Sequence, residues 1–124
     1  MANAAVSKGK RGERELALLL GEYLGDIVVA DPHGNGSDIQ AIPGLAIEVK
    51  RQETLNVRMW WAQATRQAES LNRIPVLAYR QNRQREWTFC LPAYCLTLRD
   101  TKKERWITLQ QPTFLIWLRE WLAD

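Results

Sequence analysis

Asp38-Ile-Gln-Ala-Ile-Pro-Gly-Leu-Ala-Ile-Glu-Val-Lys50 carries the clearest structural pattern in the chain. Leu45, Ile47 and Val49 alternate with Ala46, Glu48 and Lys50, the period-two pattern of a strand with one face on a core. Asp38 to Ile42 reads as a second strand. Pro43-Gly44 between them suits a type II turn, with proline setting the first φ and glycine taking the positive one. On such a hairpin Glu48 and Lys50 share one face, and Asp38 on the neighbouring strand can meet Glu48. Two carboxylates about 4 Å apart repel by about 4 kcal/mol at an effective dielectric near 20. A divalent cation removes that repulsion, and Mg²⁺ favours carboxylate oxygens, water and phosphate. Such an ion acidifies a bound water and polarises a phosphoryl oxygen. Lys50 can then orient the water and balance charge developing on the phosphate.

Working outward, Gly12 to Leu24 reads as a helix, with Leu16, Leu19, Leu20, Tyr23 and Leu24 at three- and four-residue spacing and Gly25 as its stop. At about 100° per residue Glu13 falls on the leucine stripe, whereas Glu15 and Glu22 fall off it. An inward carboxylate needs a partner, which a metal cluster would supply; a partly solvated glutamate favoured by the helix dipole is the plainer alternative. Ile27 to Ala30 is a short β-branched run expected as a strand, and Asp31 to Ser37 collects turn formers. A second helix carries Val57, Trp60, Trp61, Ala64, Ala68 and Leu71 on one face. Pro75 to Tyr79 reads as a strand covered on both faces. Further strands are expected at Glu86 to Leu91 and Arg105 to Leu109, and a closing helix at Pro112 to Leu122. The expected class is α/β, a mixed central sheet flanked by helices in α-β-β-β-α-β order.

With 124 residues, one domain over 1–124 is expected, residues 1–7 forming a tail. Lysine and arginine total 17 against 14 acidic residues, a net charge of +3. Between Arg51 and Arg85 seven arginines face only Glu53 and Glu69, a local net of +5. Guanidinium forks bind phosphate oxygens in pairs, although a solvated helix face explains the charge equally well. Cys90 and Cys95 are too few for a disulfide scaffold and, with the lone His33, cannot complete a zinc site. The chain has no apolar run long enough for a membrane helix and no signal-peptide pattern, so a cytoplasmic protein is expected.

At this point the sequence resembles the PD-(D/E)XK nuclease superfamily, most of all the archaeal-type Holliday junction resolvases and their prokaryotic and phage relatives. The matching elements are Gly9-x-x-x-Glu13-Arg14, Gly36-Ser37-Asp38 and Ile47-Glu48-Val49-Lys50, within a stretch from Lys8 to about Tyr79. The resemblance implies a restriction-endonuclease-like core and cleavage of phosphodiester bonds in DNA, branched or otherwise structured, by a homodimer. It implies that Glu13, Asp38, Glu48 and the carbonyl of Val49 bind Mg²⁺, with Mn²⁺ also acceptable to oxygen ligands. Lys50 would assist the water, and Gln63 matches a polar position on the following helix. Ser37 stands where the superfamily pattern has proline, and by the same likeness can contact the site. The candidate phosphate contacts are Lys8, Lys10, Arg11, Ser37, Arg51, Arg58 and Arg66.

Two other readings stand beside the nuclease. One is a nuclease-like module that grips DNA without cutting it, which the intact acid–acid–lysine set disfavours. The other is a scaffold whose carboxylates form ordinary ion pairs. Gln63 also fits an ordinary boundary position. Trp60, Trp61, Trp117 and Trp121 read as packing residues rather than base-stacking platforms. His33 reads as a solvated loop residue, and the cysteines as small hydrophobes.

Overall fold

The computed structural model describes residues 4–30, 38–96 and 105–123; within 4–9 it describes the backbone only. The elements run α1 (Ala4–Leu24), β1 (Leu45–Arg51), α2 (Val57–Leu71), β2 (Ile74–Arg80), β3 (Thr88–Pro92), a 3₁₀ turn (Ala93–Cys95), β4 (Trp106–Gln110) and α3 (Gln111–Ala123). The strands form one four-stranded sheet in the order β1-β2-β3-β4. β1 and β2 are parallel, with Glu48 opposite Leu77, Lys50 opposite Tyr79 and Arg51 opposite Arg80. β3 pairs antiparallel with both β2 and β4. Parallel neighbours need a crossover, and α2 provides it.

Side-chain alternation divides the interior in two. Leu45, Ile47 and Val49 join Val76, Ala78, Phe89 and Leu91 under Leu16 and Leu20 of α1 and Phe114 and Leu118 of α3. The Phe89 and Phe114 rings stack with centroids 3.9 Å apart. On the opposite face Leu77 and Cys90 pack under Trp60, Trp61 and Ala64 of α2. The nearly continuous apolar run of β2 is therefore covered on both sides, as its composition implies. Glu48 and Lys50, out of phase with Ile47 and Val49, lie on the α2 face.

Several expectations change. The hairpin contracts to a single antiparallel bridge, Ile39 to Ile47, beside β1. The turn itself forms: the Leu45 amide donates to the Ile42 carbonyl at 3.2 Å, and Gly44 has φ +81°. The ladder does not extend beyond the bridge because the Leu45 carbonyl, which the Ala41 amide would need in this register, accepts from the Arg73 guanidinium at 3.0 Å instead. Residues 27–30 form no strand; Ile27 and Val29 are exposed, while Val28 and Ala30 rest against the core. Three expected strands between the first two helices thus become one strand and one bridge among the described residues. The first helix begins at Ala4 rather than Gly12, so residues 4–7 of the expected tail are helical. β4 and α3 match the expected late strand and closing helix within a residue or so.

Gly12 sets how closely α1 approaches β1. A Cβ placed there would lie 3.1 Å from the Arg51 Cβ, so the absence of a side chain lets the helix rest on the C-terminal end of the strand.

Candidate active site

β1 is an edge strand, and an edge leaves amides without sheet partners. Here the segment 38–39 covers it. Ile39 and Ile47 exchange backbone bonds at 3.0 and 3.1 Å, and the next outward amide, that of Val49, donates to Asp38 Oδ2 at 2.8 Å. Asp38 is thereby held against the middle of the Glu48-Val49-Lys50 run.

Glu48 is the one charged residue type buried in the described core, with 4% of its surface exposed. Its Oε1 lies 3.6 Å from Lys50 Nζ and accepts from Gln63 Nε2 at 3.3 Å. Its Oε2 is buried with no hydrogen-bond partner. Burial, and after it the Asp38 charge, push the Glu48 carboxyl up to about 8 against the opposing effect of Lys50. Without a counter-cation a proton on the buried Glu48 is the cheapest way to satisfy this close pair of acids.

These features suit a hard divalent cation. An orphaned carboxylate oxygen, a neighbouring carboxylate and a strained protonation state all improve when such an ion is added. Among the described residues no three His, Cys, Asp or Glu side chains are gathered closely enough to share one ion. The structure therefore brings together Asp38, Glu48, Lys50 and Gln63, around Val49. Glu13 is half-buried on α1 and comes from the helix on the other face of the sheet.

A residue missed from sequence is Glu15. Its Oε1 accepts from Arg51 Nη1 at 2.7 Å, and its Oε2 pairs with Arg80 Nη2. Helical angle placed Glu15 away from the leucine stripe, yet it lies over the ends of β1 and β2. The available signal was that two parallel strands both end in arginine, on the face where α1 packs, and paired cations need an anion. Arg51, expected at phosphate, shares this one carboxylate with Arg80, so the trio keeps a net charge of +1. Lys10, Arg11, Arg58 and Arg66 are exposed. Ser37, His33 and the Lys8 side chain lie outside the described residues. Trp60 and Trp61 are buried, and Trp117 and Trp121 pack against the core.

The family model described as "Phage putative PDDEXK endonuclease" matches residues 4–115. The chain belongs to this PDDEXK endonuclease family. Among solved structures it is similar to Hjc, a Holliday junction resolvase from the archaeal hyperthermophile Archaeoglobus fulgidus, with 25% identity, a TM-score of 0.51 and 88% of each chain covered. No curated protein matches the chain. The restriction-endonuclease-like fold and the nuclease class follow from these likenesses. No helix among the described residues is long and apolar enough to cross a membrane.

Proposed function

We propose that the chain is a divalent-cation-dependent endonuclease that hydrolyses phosphodiester bonds in branched or otherwise structured DNA, acting as a homodimer. The observation that carries this is the buried Glu48, its Oε2 unpartnered, beside Asp38 and Lys50. The likeness to the Holliday junction resolvase from A. fulgidus supports the branched substrate.

In this reading Asp38, Glu48 and the Val49 carbonyl hold Mg²⁺ or Mn²⁺. When bound, the ion polarises the scissile phosphate and makes a water more acidic. Lys50 orients the attacking water and balances the negative charge that builds on the phosphate. Gln63 holds the Glu48 carboxylate in one rotamer through its amide. Glu13 enters from the family pattern as a further carboxylate, and Lys8, Lys10, Arg11, Ser37, Arg58 and Arg66 enter as phosphate contacts. A nicking assay on linear, flap and four-way DNA, with and without Mg²⁺, tests the proposal. Cation-dependent cutting that favours the four-way substrate is expected, lost in Asp38→Asn and reduced in Glu13→Gln. Binding without cutting by the wild type on every substrate would leave only a DNA-gripping module.

A further inference from the structure

Sorting the arginines by their bonds reveals a surface that the motif does not include. Arg51 and Arg80 are paired with Glu15. Arg73 donates to two backbone carbonyls, and Arg119 to the Tyr23 carbonyl, over the Tyr23 ring. Arg83 and Arg85 are exposed and, among the described residues, make no hydrogen bond or ion pair.

Both belong to the turn 81–86, which follows β2 at the end of the sheet where β1 finishes in Lys50 and Arg51. The turn is held in place from several sides. The Gln84 amide donates to the Gln81 carbonyl at 3.1 Å. Arg80 Nη1 donates to the Gln84 carbonyl at 2.6 Å. Across that end of the sheet, Gln81 Nε2 donates to the Glu53 carbonyl at 2.7 Å, and Asn82 Nδ2 donates to Glu53 Oε1 at 2.9 Å. Arg80 in turn is fixed by Glu15 and lies over the Trp87 ring, 5.4 Å from its centroid. A turn already ordered loses little conformational freedom on docking, and unpaired guanidiniums on it are poised for phosphate oxygens.

We propose that the braced turn 81–86 is a phosphate-docking element, with Arg83 and Arg85 gripping the backbone of the DNA that enters the site beside Lys50. This rests on the nuclease reading and adds the surface that seats its substrate. Each phosphate neutralised contributes about 0.9 to the slope of log affinity against log salt. Binding of a short labelled duplex, without added divalent cation so that nothing is cut, is measured across a salt series. In Arg83→Ala/Arg85→Ala the slope should fall by about 1.8, so that the loss of affinity between 50 and 200 mM salt shrinks about tenfold. Arg83→Lys/Arg85→Lys should restore most of the slope. An unchanged slope in the alanine variant, with the wild type binding and cutting DNA, overturns the docking element alone. A slope that falls as expected in a protein that never cuts any DNA upholds the docking element and overturns the nuclease.

Discussion

The two ends of the parallel pair β1–β2 show opposite treatments of polar groups. At the end where these strands begin, the Arg73 guanidinium donates to the carbonyls of Gln40 at 2.6 Å and Leu45 at 3.0 Å. A cavity of about 500 Å³ lies there too, bordered by Thr65, Glu69, Arg73 and Tyr94. At the end where they finish, a buried carboxylate oxygen of Glu48 and the Nε atoms of Arg51 and Arg80 have no hydrogen-bond partner. That hollow thus sits beside a guanidinium engaged with two backbone carbonyls, and the candidate chemistry sits where a buried carboxylate oxygen has no partner. Cavity size follows packing; a site for a cation and a phosphate is marked by unmet charge and unmet hydrogen bonds.

Substitutions at the two ends should therefore have different consequences. Lys50→Ala should lower the cleavage rate at least about 100-fold while duplex binding persists, since it removes charge stabilisation in the reaction rather than the docking surface. Near-normal single-turnover cutting by that variant would remove Lys50 from the mechanism.

The acidic end should also make stability depend on pH when no divalent cation is present. The Glu48 carboxyl is held at about 8 in the folded chain against 4.5 ordinarily. The folded state therefore keeps a proton that the unfolded state has released, and stability falls as pH rises from about 4.5 to about 8. The full loss is at most about 5 kcal/mol. Denaturant midpoints measured along that range should decline in the wild type and stay flatter in Glu48→Gln. Added Mg²⁺ should recover stability at the alkaline end in the wild type and much less in the variant.

At the opposite end Arg73→Ala should cost about 3 kcal/mol, because two charge-assisted bonds to buried carbonyls are lost. Urea unfolding checks this, and cleavage per folded molecule should persist. A folded Arg73→Ala protein without activity would show that the two ends are not separable. The smallest effect expected is Gly44→Ala, about 1–2 kcal/mol in the same assay, from a non-glycine residue at positive φ. Its new Cβ would also meet the Trp121 ring at 2.7 Å.

Much of the central architecture was legible because it follows local rules. Alternation in Leu45 to Lys50 gave β1 and separated Glu48 from its apolar neighbours. Three- and four-residue spacing gave α2 with Trp60 and Trp61 inward, and the unbroken Pro75 to Tyr79 run gave a strand buried on both faces. The errors share a cause. Ile27 to Ala30 and Asp38 to Ile42 have strand composition, but a strand also needs a partner for its backbone. Arg73 intercepts the Leu45 carbonyl, and the edge of β1 accepts only one bridge before the Asp38 side chain takes over. No composition rule reveals which distant side chain will claim a carbonyl.

Sequence by itself determined the acid–acid–lysine chemistry, because residue type and two-residue spacing on one strand suffice to place Glu48 and Lys50 on a common face. Tertiary structure decided which charges remain available. Glu15 bridges Arg51 and Arg80 from 36 and 65 residues away, and the turn after β2 is left holding its arginines outward. Pairing between residues so far apart depends on how the helix rests on the sheet, a geometry set by the packing of whole faces rather than by any local pattern.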